Sequence, residues 1–129
     1  MKANTIIISF NNGSVPPHYA YRYQIMFSEE KGIAELKIFK GYDTDEKMIV
    51  SEQKKFDTET FLQLLSLLNK KENSQKNQAI VGGSERIIDV NAKKIIIAND
   101  DHFGISLFNR FLELYRTDFQ NQINTNLNL

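Results

Sequence analysis

The alternation of apolar and polar side chains is sharpest over residues 19–27. Tyr19, Tyr21, Tyr23, Ile25 and Phe27 occupy one parity, and Ala20, Arg22, Gln24 and Met26 the other. Successive side chains of a strand point to opposite faces, so this spacing makes one face almost wholly aromatic or apolar. A helix would scatter the tyrosines around its circumference, so a strand is predicted. Residues 5–10 are β-branched and apolar and predict a strand before it. Between them, Asn11-Asn12-Gly13-Ser14 breaks the pattern, and Val15-Pro16-Pro17-His18 reads as a stiff extended connector. Residues 28–32 form a hairpin loop in which Gly32 supplies positive φ. The return strand spans 33–40, with Ala34, Leu36 and Ile38 on one face and Ile33, Glu35, Lys37 and Phe39 on the other. A fourth strand is expected over 48–56, and its Lys54 and Lys55 suit an exposed sheet edge.

The period then changes. Asp57 or Thr58 is a helix N-cap, and Glu59 sits where the helix dipole favours an anion. Phe61, Leu64, Leu65 and Leu68 follow at i, i+3, i+4 and i+7, the apolar stripe of an amphipathic helix, widened by Leu62 and Leu67. A polar, mobile loop is expected near 70–78. A hairpin follows, 84–90 and 93–98 about an Asn91-Ala92 turn, whose type stays open because Ala92 disfavours positive φ. Asn99-Asp100-Asp101 is the next cap signal. A final helix is expected from about 103 to about 122, with a frayed, asparagine-rich tail over 122–129. The order ββββ-α-ββ-α predicts an α+β domain: an antiparallel sheet of about six strands with helices packed on one face.

Composition narrows the function classes. At 129 residues the chain is read as one domain, 1–129, long enough to bury a core without staples. There is no cysteine, which excludes disulfides, thiolate zinc sites and cysteine nucleophiles. The 16 basic and 16 acidic residues balance, so no duplex nucleic acid is expected as a partner. No apolar run reaches membrane-spanning length and the N-terminal stretch has no secretory apolar region, so no membrane partner and a cytoplasmic location are expected.

Candidate chemistry is sparse. His102 stands beside Asp100 and Asp101, which permits a metal ion or a general base; helix capping by an aspartate with a surface histidine is the favoured reading. The acidic turn Asp43, Asp45, Glu46 fails the calcium-loop pattern, with Lys47, Met48 and Lys54 at its fifth, sixth and twelfth positions. Gly82-Gly83-Ser84 is neither a P-loop nor a dinucleotide fingerprint, and no cofactor is implied. The three tyrosines could stack bases, but a core wall or a protein-binding face fits better without a basic surround. The connector Val15, Pro16, Pro17 and His18, ending at Tyr19, is the candidate binding edge, since two prolines lower the entropy lost on binding.

The element order, with Asn12-Gly13-Ser14 after the first strand and Gly82-Gly83-Ser84 before the hairpin, resembles the emfourin-like small bacterial proteins, a family of proteinaceous metalloprotease inhibitors. The likeness is one of architecture. It implies a non-enzymatic protein that binds a protease through loops. The expected function is a non-catalytic protein-interaction module of inhibitor, immunity or accessory type; the alternative is a small metal-binding protein or enzyme centred on Asp100, Asp101 and His102.

Overall fold

A computed structural model describes residues 3–13, 19–41, 46–71 and 84–127. Six strands and three helices lie among them: β1 (Thr5–Asn11), β2 (Tyr21–Ser28), β3 (Ile33–Lys40), β4 (Lys47–Lys55), α1 (Thr58–Leu68), β5 (Glu85–Val90), β6 (Lys93–Ile97), α2 (His102–Tyr115) and α3 (Phe119–Leu127). The α+β class and the order ββββ-α-ββ-α are as the periodicity requires. The strands form one antiparallel sheet in the order β4-β3-β2-β1-β5-β6. β1 to β4 make a meander; the chain then crosses through α1 and places β5 on the far side of β1.

Register puts the apolar parity of β1, β2, β3, β5 and β6 on the helix side, whereas β4 turns Val50, Glu52 and Lys54 that way. Ile8 stands opposite both Ile25 and Ile88, Ile25 opposite Leu36, and Tyr23 opposite Ile38. These residues, with Ile6, Phe27, Ala34, Ile95 and Ile97, form the core together with the inward faces of the three helices. Phe61, Leu64, Leu65 and Leu68 of α1 are all buried, the stripe that their spacing predicts. Each fully buried large side chain contributes ~1.5–3 kcal/mol. The other face of the sheet is mixed: Met26 stands opposite both Ile7 and Glu35.

The turns obey local chemistry. Gly32 has φ +64° and its N–H reaches the Ser28 carbonyl at 2.9 Å. Asn91 and Ala92 both have positive φ, 50° and 74°, as a type I′ hairpin requires. Asn91 anchors that strained turn: its N–H donates to the Thr5 carbonyl and its Oδ1 accepts from the Thr5 N–H at 2.8 Å. Asn4 in turn donates to Glu29 through its backbone and its amide, which ties both hairpins to the start of β1.

Three boundaries differ from the sequence expectation. Tyr19 precedes β2 and is 55% exposed, so only Tyr21 and Tyr23 share the strand with Ile25 and Phe27. The single C-terminal helix is two: Arg116 adopts extended backbone, φ −161° and ψ 126°, and ends α2. The segment expected to fray is helical through Leu127, because Phe119, Ile123 and Leu127 return at four-residue spacing and are all buried. The loop expected near 70–78 lies outside the described residues from 72 onward, as do the acidic turn residues Asp43 and Asp45 and the glycines Gly82 and Gly83.

Candidate functional site

β4 is an edge strand, and its core-facing parity is Val50, Glu52 and Lys54, set by Val50 opposite Ile38 and Glu52 opposite Leu36. Glu52 thus directs a carboxylate toward the helical layer. The break between α2 and α3 meets it there. Tyr115, the last residue of α2, donates its hydroxyl to Glu52 Oε1, and Gln122 of α3 donates Nε2 to the same oxygen at 2.8 Å. The Tyr115 ring is packed edge-on against Phe119, 6.2 Å between centroids, and Phe119 in turn against Tyr23 at 5.0 Å. Lys54 places Nζ 5.4 Å above the Tyr115 ring. Arg116 binds Asp118 through both guanidinium arms, within the turn that separates the helices.

Glu52, Gln122, Arg116 and Asp118 line an open cleft of 390 Å³, together with Val50, Asn121, Thr125 and Asn126. Its electrostatics hold a fixed charge. The Tyr115 hydroxyl bond, aided by Gln122 and the nearby Arg116 and Lys54 charges, keeps the Glu52 carboxyl below its ordinary pKa despite partial desolvation. Burial, together with donation to that carboxylate, pushes the Tyr115 phenol well above its ordinary value. Gln122 is 7% exposed, and its Oε1 has no hydrogen-bond donor among the described residues. Its orientation is fixed, because the Nε2 end must face Glu52.

Glu52, Tyr115 and Gln122 stand 63 and 70 residues apart along the chain, so no local motif marks them. Two signals were present. Glu52 breaks the apolar phase of a strand, and Gln122 interrupts the stripe from Phe119 to Ile123.

The residues singled out from sequence lie elsewhere. Val15, Pro16, Pro17 and His18 are outside the described residues, and Tyr19 is described and exposed. Asp101 caps α2, accepting from the Gly104 N–H at 2.9 Å, and pairs with Lys71 at 2.7 Å. Asp100 and His102 are exposed. Among the described residues no three His, Asp or Glu side chains converge as a metal site would need. Tyr23 is core, stacked on Phe10 at 5.3 Å between centroids, and Tyr21 is half-buried beside it. No helix among the described residues is long and apolar enough to cross a membrane. Comparison of the chain with protein-family models, with curated proteins and with solved structures gave no match.

Proposed function

We propose that this chain is a non-catalytic interaction module, of inhibitor, immunity or accessory type, which engages another protein through the cleft between β4 and α3. One observation carries the reading. Gln122 is buried at a polar cleft with an acceptor that nothing among the described residues satisfies. A buried acceptor left without a donor costs ~1–3 kcal/mol, and an apolar side chain in the same stripe would avoid that cost. The residue makes sense if the position serves contact rather than folding alone.

The ionisation of the dyad favours holding over proton transfer. A general base works best with a pKa near the working pH. Here Glu52 is lowered and Tyr115 raised, so both move away from neutrality. At Asp100, Asp101 and His102 the metal-binding alternative has less support, since Asp101 is engaged by the helix start and by the Lys71 ammonium, a charge that repels a cation. The resemblance to emfourin-like inhibitors names one class of partner, a metalloprotease, which the cleft reading accommodates.

The test is affinity capture from native extract with the tagged chain and with Asn121→Trp, which places a bulky uncharged ring at the exposed rim on α3. The wild type retains a protein that the variant loses, with matching circular dichroism. Equal recovery of the same partner by both contradicts the proposal.

A further inference from the structure

We propose that β4 receives an extended acidic segment of the partner protein as an additional antiparallel strand, with alternate side chains of that segment entering the cleft beside α3. This deepens the cleft reading and rests on it. β4 is the outermost strand on its side of the sheet, hydrogen-bonded to β3 alone among the described residues. An edge strand presents a row of unpaired N–H and C=O groups, and an extended peptide satisfies them by strand addition. Seven of its nine residues are exposed, Val50 and Glu52 being the two that turn toward the cleft.

Charge selects the occupant. Lys40 of β3 stands opposite Lys47 of β4, like charges in a directly facing pair, which destabilises a sheet unless an anion lies nearby. Lys54 and Lys55 follow at the other end of the strand. None of these four lysines forms an ion pair among the described residues. The one acidic residue of β4, Glu52, stays charged but turns inward, held by Tyr115 and Gln122 and close enough to Lys54 for that ammonium to help lower its pKa. A chain of zero net charge therefore carries a local row of cations along one sheet edge. The same row opposes self-association: antiparallel pairing of two copies about Ser51 sets Lys47 against Lys55. It also differs from a single-strand nucleic-acid surface, which stacks bases on exposed aromatics; Tyr23 is buried and the Tyr115 ring lies under Lys54.

The added strand meets suitable chemistry inside. Side chains of one parity pass between Val50 and α3, where Asn121, Thr125 and Asn126 offer both donors and acceptors. Those of the other parity stay over the outer face, within reach of Lys55.

The experiment uses full-length protein and a fluorescent peptide of alternating glutamate and threonine, blocked at both ends. The peptide binds, binding weakens about tenfold in Lys54→Glu/Lys55→Glu, and N-methylation of alternate peptide residues abolishes it in one of the two phases. Amide exchange over β4 slows in the complex. No binding, equal binding of both N-methylated peptides, tighter binding of oligothymidylate, or a wild-type dimer that the peptide does not dissociate each overturns the proposal. If the peptide fails while Asn121→Trp still loses the captured partner, strand addition falls and the cleft reading stands. If Asn121→Trp still captures the partner, the cleft reading falls and strand addition into the cleft falls with it.

Discussion

The layer between sheet and helices is filled in two different ways. Toward α1 it is a cluster of rings: Phe27, Phe56, Phe61 and Phe111 lie with centroids from 5.2 to 6.4 Å apart and tilted or edge-on. Toward α3 the same sheet face ends in Glu52, Tyr115 and Gln122, a hydrogen-bonded set with acceptor capacity left over. Apolar packing is satisfied by the fold itself, since dispersion and water exclusion need only volume and shape. A polar set is directional, and its one buried acceptor without a donor among the described residues, Gln122 Oε1, remains a cost until something supplies one. Two ends of one core thus separate what holds the chain together from the polar set on which the proposed partner contact rests.

Substitutions break this contrast unequally. Phe111→Ala empties the ring cluster and is expected to lose ~3–5 kcal/mol in urea unfolding, as for other aromatic truncations; a loss below about 0.5 kcal/mol would place Phe111 outside the core. Gly104→Ala is next. A Cβ there would lie 2.7 Å from Asp101 Oδ2 and 2.9 Å from Ile97 Cγ2, and Lys71 and the Gly104 N–H hold Asp101 in place. The expected loss is ~1–3 kcal/mol, although alanine is the better helix former. Unchanged or increased stability would show that the helix start relaxes freely.

Gln122→Met sharpens the comparison by separating folding from binding. It removes the unsatisfied acceptor and keeps the volume but also removes the Nε2 bond to Glu52, so the two effects offset and stability should change by less than about 1 kcal/mol while partner capture falls. A fall in stability with capture intact would mean that Gln122 serves the fold.

The smallest effect is on pH dependence. Glu52 is held below its ordinary value of 4.5, so its contribution is present above that pH and is lost as pH falls through the lower folded value. Tyr115 is raised above 10.0, so its contribution is present below that pH and is lost as pH rises. Chemical-denaturation midpoints measured across pH should form a plateau between these limits. Tyr115→Phe should flatten the alkaline arm and shift the acid arm toward higher pH; identical profiles would show that the dyad contributes nothing.

Legibility in the sequence followed the range of the interactions. β2, β3 and the α1 stripe repeat within a few residues, and their buried parity could be read directly. Lys54 and Lys55 likewise marked β4 as an edge, since charge guards strands that have no neighbour. The Asn91-Ala92 turn was harder, because tertiary bonds from Asn91 to Thr5 hold Ala92 at a φ that its own propensity opposes. The helix break at Arg116 was hidden by a pattern that keeps helical spacing through Phe119, and α3 by its asparagines, which favour caps and turns. The polar set at the cleft was not legible at all as a unit: Glu52 comes from β4, Tyr115 from α2 and Gln122 from α3, and only the fold brings them together.

The central claim is that the β4–α3 cleft is the working surface. Hydrogen–deuterium exchange of the full chain, alone and bound to its captured partner, tests it most directly. The account predicts slowed exchange over β4, residues 47–55, and over α3, residues 119–127, with the ring cluster unchanged. Slowing confined to residues 15–19, with β4 and α3 exchanging as in the free protein, would contradict it and return the binding edge to the proline connector.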